Sequence, residues 1–165
     1  MANPDSAQKG FRFVRRIGGT GAAPLVPRTL DSNVGCSTGD LIKISSDGVS
    51  DPVATADTAT GLLLAGVAAH GVTASSGVQK EVLCYPCDPD NVFAVQKQSG
   101  TAGDVGATFP IARDSNGYFE VPTATATDDL VLVIGKYDEE GYTNAWGADV
   151  DVLVKFTEAD GAVIV

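Results

Sequence analysis

Three cysteines and the single histidine are the residues of this chain best suited to chemistry. Cys84 and Cys87 stand in C-x-x-C spacing within CYPC, and Cys36 and His70 complete a set of four soft ligands. A thioredoxin-type redox pair needs its first cysteine at a helix N-terminus, where the helix dipole lowers the thiol pKa. Here CYPC closes an apolar run and leads into DPDN. We therefore expect small, partly buried thiols rather than a redox pair.

A structural zinc site would need all four of these side chains, because such sites are four-coordinate. No second C-x-x-C and no paired histidines accompany them, so zinc is the weaker of two open alternatives. His70 could be a general base, yet no nucleophile motif such as G-x-S-x-G is present. The sequence predicts no catalytic residue, no metal and no cofactor, and hence a protein that is not an enzyme.

Clustered carboxylates offer a second kind of chemistry. The segments DPD (88–90), DD (128–129) and DEE (138–140) could supply calcium ligands or paired catalytic carboxylates. None of them forms a D-x-D-x-D-G loop with a distal glutamate. Like charges that cluster in loops are usually solvated, and we expect the same here.

One loop, GYTNAWGAD (141–149), carries the only tryptophan. Trp146 and Tyr142 lie in this polar segment between two strongly apolar runs. An exposed aromatic in such a loop often marks a contact surface. Alternatively, Trp146 folds back to cover one end of a β-barrel. Both interpretations stay open from the sequence alone.

The elements that must position these residues are predicted to be β-strands. Apolar residues recur with period two or in short runs that glycine, proline, asparagine and aspartate interrupt. In DVDVLVKF (149–156) the valines and Phe156 share one face, and Asp151 lies on the other. We predict an all-β chain: a small antiparallel β-barrel or jelly-roll-like sandwich over residues 31–165, with an extended N-terminal arm over residues 1–30.

Charge is divided unevenly between these two regions. The net charge is -10 at pH 7. Residues 1–30 carry five basic side chains and one acidic one, whereas the remaining residues carry six basic and twenty acidic ones. An acidic body repels nucleic acid and anionic lipid. No apolar run of about 18 residues, the length of a transmembrane helix, is present. We therefore expect neither nucleic acid nor a membrane as a partner.

The basic charge of the N-terminal region is concentrated in GFRFVRR (10–16), where it alternates with apolar residues. Apolar side chains could enter grooves of a partner while the arginines pair with carboxylates. The candidate interface residues of the predicted arm are Phe11, Arg12, Phe13, Val14, Arg15 and Arg16.

The order of motifs along the chain resembles that of the capsid decoration (cement) proteins of tailed bacteriophages. The segments that carry this resemblance are GFRFVRRIGG (10–19), STGDLIKIS (37–45), CYPCDPDNVFAVQ (84–96) and GDVGATFPIA (103–112). DPDNVFAVQ (88–96) is the most specific of them. Phe13 stands where proline is common in that family, and Arg16 stands where histidine is frequent.

This resemblance implies a virion structural protein on the outer capsid surface, made in the host cytoplasm. Its partners would be the major capsid protein, whose neighbouring subunits it bridges, and further copies of itself, with a trimer favoured over a dimer. Deletion of residues 1–17 should then leave a folded body that binds capsids poorly. The alternative is a carbohydrate- or host-surface-binding β-module of a phage head fibre or tail, which would use Tyr142 and Trp146. The low aromatic content, 7%, counts against this alternative.

Overall fold

A computed structural model describes residues 10–19, 25–54, 62–124, 130–138, 144–157 and 163–164, and the regular secondary structure of these residues is almost entirely β-strand. One short 3-10 turn spans Ala102–Asp104. The strands are β1 (Arg12–Arg16), β2 (Val26–Leu30), β3 (Leu41–Ile44), β4 (Ser50–Pro52), β5 (Leu63–Ala68), β6 (Lys80–Tyr85), β7 (Asn91–Gly100), β8 (Thr108–Phe109), β9 (Ala112–Arg113), β10 (Phe119–Glu120), β11 (Val131–Lys136), β12 (Gly147–Phe156) and β13 (Val163–Ile164). The predicted all-β class is confirmed.

The first sheet has five strands in the order β1-β7-β12-β11-β8, and all neighbours are antiparallel. Its two longest strands, β7 and β12, lie side by side at its centre. Val150, Val152, Val154 and Phe156 are all buried, so the alternation predicted for DVDVLVKF does turn the apolar residues of β12 toward the core.

A second sheet closes into a barrel. Its strand order is β13-β5-β3-β4-β2-β6, and β5 also pairs with β6, which joins β5, β3, β4, β2 and β6 into a closed five-stranded ring. The closure brings backbones very near each other at Gly66, where a Cβ atom would lie 2.6 Å from the carbonyl oxygen of Tyr85. Glycine is required at this point because any side chain would push β5 and β6 apart. The predicted β-barrel is therefore present as one part of the body.

Two apolar clusters hold the sheets together. The larger cluster, called the main core, draws buried side chains from both the first sheet and the barrel, among them Leu41, Leu64, Phe93 and Val152. The smaller one, called the barrel core, draws on β2, β3, β5 and β6, and its buried members are Leu30, Ile42, Ala65, Ala68, Val82 and Cys84. The hydrophobic effect thus binds the two sheets into one body. Within the described residues no helix is long and apolar enough to cross a membrane.

Arg113 ties the short β9–β10 hairpin to the barrel. Its guanidinium donates to the carbonyl oxygen of Val53 at 2.8 Å, approaches Asp40 at 3.4 Å and lies 4.1 Å from the centre of the Phe119 ring. Asp40 belongs to the STGDLIKIS motif, and it also accepts the backbone N–H of Ser37 at 2.8 Å. This aspartate therefore has a structural role, because it closes a turn and anchors a hairpin.

The structure corrects the prediction that residues 1–30 form an extended arm. Residues 12–16 are β1, which pairs with β7 at the edge of the first sheet. Residues 26–30 are β2, which pairs along its whole length with β6 in the barrel. The glycines and prolines of this region indicated irregular backbone, but burial of its apolar side chains against distant strands outweighs that local preference. Residues 1–9 and 20–24 lie outside the described part of the chain.

Candidate functional site

Phe11, immediately before β1, lies at the centre of an aromatic cluster. Its side chain is 1% exposed. Its ring centroid is 5.1 Å from that of Phe156, 6.1 Å from that of Phe119 and 6.4 Å from that of Phe93. Tilted and edge-to-face pairs at such distances are favourable because the positive ring edges meet the negative ring faces. Phe11 is thus a core residue of this chain, and it is not available as an anchor for a partner.

Phe13 enters the same cluster from its margin. The ring stacks on Tyr85 with centroids 4.7 Å apart, and it makes an edge contact with Phe93 at 5.9 Å. Because Tyr85 belongs to barrel strand β6, this stack also joins β1 to the barrel. Burial excludes Phe11 as a groove-filling anchor on a capsid, whereas Phe13 is half-buried and packs within the body.

Arg12 extends across the outer face of β7 to reach β12. One guanidinium nitrogen is 2.9 Å from a carboxylate oxygen of Asp151, whose side chain is only 1% exposed. The guanidinium carbon also lies 5.2 Å from the centre of the Tyr137 ring, within cation–π range. Removal from water strengthens both interactions, so this pair is of a different kind from an exposed surface ion pair.

Asn144 fixes the backbone around this pair. Its side-chain NH₂ donates to the carbonyl oxygens of Tyr137 at 2.6 Å and Asp151 at 2.7 Å, and its carbonyl oxygen accepts the Asp151 N–H at 3.1 Å. The strand alternation placed Asp151 on the face opposite the valines, and there its side chain is buried beside Arg12. The roles of Tyr137 and Asn144 had no local sequence signal. Only the basic N-terminal region on an acidic chain indicated an acidic partner for Arg12.

The remaining candidate residues of the predicted arm form a surface at the end of β1. This β1 surface consists of Val14, Arg15, Arg16 and Ile17. Arg15 is exposed, Val14 is half-buried and Ile17 is 45% exposed. Arg16 approaches Asp88 at 3.5 Å, but both side chains are about 40% exposed, so water screens the pair and it contributes about 0–1 kcal/mol. The β1 surface therefore combines basic and apolar groups that a partner could still engage.

The DPDN segment forms the turn that begins β7. Asp88 accepts the backbone N–H of Asp90 through its side chain and that of Asn91 through its carbonyl oxygen, both at 2.8 Å. The Ile17 N–H then donates to the carbonyl oxygen of Asp90 at 2.8 Å, which continues the β1–β7 ladder. Two motifs that are about 75 residues apart in the sequence are thus partners in one strand pair.

The residues proposed for redox or zinc chemistry do not come together as one set of ligands. Cys84 belongs to the barrel core and Cys87 to the main core. Cys36 is half-buried in an isolated bridge to Val72, and His70 is exposed. In the described ranges, no three histidine, cysteine, aspartate or glutamate side chains are grouped closely enough to hold a metal ion. The C-x-x-C spacing therefore places its two thiols in different cores.

Burial makes these thiols poor nucleophiles, and this can be measured. Burial raises the pKa of Cys84 from 9.0 to about 11 and that of Cys87 well above 9.0. At pH 8 we expect both thiols of the folded protein to react with iodoacetamide at least about 100-fold more slowly than in guanidinium-unfolded protein, because the thiolate is the reactive form. Folding raises the pKa of these two thiols, so below pH 9 they do not lower the free energy of unfolding. As the pH rises from 9 toward 11, the thiols ionise in the unfolded chain but not in the folded protein, and the free energy of unfolding falls.

A Cys36→Ser variant serves as the control, since Cys36 is only half-buried and would otherwise contribute reactive thiol. Rapid modification of both remaining cysteines at pH 8, without loss of the folded circular dichroism signal, would contradict the placement of Cys84 and Cys87 in the two cores.

Trp146 packs against the main core and is half-buried. This position favours the interpretation in which the tryptophan folds back onto the body over an exposed aromatic platform. Tyr142, the other residue of the proposed contact loop, lies outside the described residues, as do residues 128–129 and 139–140 of the acidic clusters.

No protein-family model matches the chain, and no curated protein matches it. The function is therefore argued from the geometry of β1 and from the order of the sequence motifs.

Proposed function

We propose that this chain is a virion structural protein that binds the outside of an icosahedral phage capsid and bridges neighbouring major capsid subunits. The observation that carries the proposal is the β1 surface, where Arg15, Arg16 and Ile17 project from the edge strand of an otherwise acidic body. The order of motifs that resembles the decoration proteins supplies the identity of the partner. We assign the chain no catalytic role.

The chemistry of the β1 surface suits an acidic protein partner. Guanidinium groups form bidentate, charge-assisted hydrogen bonds with carboxylates, and an exposed isoleucine can fill a shallow apolar groove beside them. The Arg16–Asp88 pair is weak enough for Arg16 to change partner at small cost. The contact proposed here uses only the surface end of β1, since Phe11, Arg12 and Phe13 are engaged within the body.

Weak individual contacts suffice for a protein that is repeated across a lattice. The net charge of -10 keeps free copies apart in solution. Once several copies associate, with a trimer favoured, each further contact with the capsid becomes intramolecular and the affinities multiply. The proposed location is the outer capsid surface of the virion.

Co-sedimentation with capsids that lack the decoration protein tests this proposal. We expect Arg15→Ser/Arg16→Ser to raise the apparent dissociation constant at least tenfold, which corresponds to about 1.4 kcal/mol, because two charged contacts are removed. The matched control is Ser46→Glu/Ser76→Glu, which reaches the same net charge through two exposed positions of the barrel. Unchanged capsid occupancy by the arginine variant would overturn the role of the β1 surface.

The alternative function, a carbohydrate- or host-surface-binding module, has less support. It needs Trp146 as an exposed platform for a sugar ring, whereas this side chain packs against the main core.

A further inference from the structure

The contacts that hold β1 are all made with distant parts of the chain. Phe11 packs on Phe156, Arg12 pairs with Asp151, and Phe13 stacks on Tyr85. None of these partners lies in the link that leads from β1 to β2. A second copy of the chain therefore offers β1 the same set of partners in the same arrangement.

The position of β1 allows it to leave without breaking the rest of the sheet. It is an edge strand, and among the described strands β7 is its one neighbour in the sheet. The link to β2 comprises residues 18–25 and contains Gly18, Gly19 and Gly21. Gly18 has φ +74, a conformation that glycine adopts without strain, and a Cβ there would meet no atom within 4 Å. Eight extended residues can span about 26 Å, enough to reach an adjacent copy.

A molecule whose own β1 has left the β7 edge would bind the β1 strand of another copy strongly. Without Arg12, the Asp151 carboxylate, whose side chain is 1% exposed, would lose the guanidinium that lies 2.9 Å from it. The pocket that Phe11 fills would also be open among three other aromatic rings. Both features match β1 specifically, because the opened body needs an aromatic residue followed by an arginine.

From these observations we propose that β1 exchanges between copies, so that the β1 strand of one molecule occupies the β7 edge of a neighbouring one. The contacts of β1 are the same whether it occupies the β7 edge of its own molecule or that of a neighbour. The protein concentration therefore decides which of the two forms is populated. A link of eight residues gives an effective concentration of the order of millimolar. Exchange therefore becomes competitive only where copies are crowded, and this proposal does not depend on the capsid as the partner.

Disulfide trapping tests the exchange. Ile17 and Asp90 are exposed and face each other across the β1–β7 pair, where the Ile17 N–H donates to the Asp90 carbonyl at 2.8 Å. Ile17→Cys and Asp90→Cys are made in separate chains, mixed, unfolded, refolded together at about 1 μM or about 1 mM, and oxidised. We expect a 17–90 bond between chains, identified by mass spectrometry, that increases at least tenfold in yield at the higher concentration. A chain that carries both Ile17→Cys and Asp90→Cys should form the 17–90 disulfide within itself when it is refolded at about 1 μM.

The matched control is the pair Ala148→Cys and Ser99→Cys. These exposed residues face each other across β12 and β7, which are interior strands and cannot exchange singly. If the 17–90 bond between chains never exceeds the yield of this control, the proposal is overturned.

Sedimentation of the protein without cysteine substitutions tests the exchange independently. Unmodified protein refolded at about 1 mM should sediment as dimers or larger species after dilution, and monomers alone would refute exchange. Capsid assays use protein refolded at 1 μM, so either proposal can fail without the other.

Discussion

Replacement of Phe11 by alanine is expected to lower the free energy of unfolding by about 3–5 kcal/mol, the range for a fully buried phenylalanine. The side chain is 1% exposed and touches three other rings. Its removal therefore loses apolar burial and also leaves a cavity that the rigid strands around it cannot close. Urea unfolding, followed by tryptophan fluorescence and circular dichroism, measures the change.

Ile17→Ala is the matched control for this prediction. Ile17 lies six residues further along the same segment and is 45% exposed, so its truncation should change stability by about 0.5 kcal/mol or less. If both positions belonged to an extended arm, the two variants would have equally small effects. Equal midpoints for Phe11→Ala and Ile17→Ala would thus contradict the packing of Phe11.

Arg12→Met is expected to destabilise the protein by about 3–5 kcal/mol, because it removes the guanidinium that lies 2.9 Å from the buried Asp151 carboxylate. Methionine retains much of the length of the arginine stem, so lost packing contributes little. Arg16→Met is the matched control. The Arg16–Asp88 pair is exposed to water, and its loss should change the unfolding free energy by about 0–1 kcal/mol.

A double variant separates the charge effect from the shape effect. Arg12→Met/Asp151→Leu removes both charges, and we expect it to regain most of the stability that Arg12→Met alone loses. An Arg12→Met effect no larger than that of Arg16→Met would show that Arg12 does not neutralise a buried charge. Additive losses in the double variant would show that the two residues are not coupled.

The sequence predicted the fold class because strand signals are local. Period-two alternation in DVDVLVKF and short apolar runs between turn residues sufficed for an all-β chain with a barrel. The ends of strands follow equally local signals, such as the DPDN turn before β7. Which strands become neighbours depends on contacts between distant residues, and a single sequence does not display these.

The misassigned residues all depend on such distant contacts. Glycine and proline around GFRFVRR indicated an arm, but the burial of Phe11 is decided by Phe93 and Phe156. Alternation put Asp151 on the face opposite the valines, and the contact with Arg12, which lies 139 residues earlier in the chain, has no local signal. The uneven distribution of charge did indicate that the basic segment seeks carboxylates. It could not indicate that most of them belong to the same chain.

This placement changes what truncation should do. Deletion of residues 1–17 was expected to leave a folded body, but it would remove an edge strand, a central aromatic residue and the cation beside Asp151. Point substitutions within the β1 surface, such as Arg15→Ser, are therefore the proper way to test partner binding. They leave Phe11, Arg12 and Phe13 in place.

Native-state hydrogen exchange of the intact chain tests most directly whether residues 11–17 are a strand of the body. The Ile17 amide donates to the Asp90 carbonyl, and the β1 amides that face β7 have comparable partners. If β1 belongs to the body, these amides will exchange far more slowly than those of an unstructured peptide, since their opening requires the release of Phe11 and Arg12. Exchange of the β1 amides at the rates of an unstructured peptide, while β7 and β12 stay protected, would contradict it.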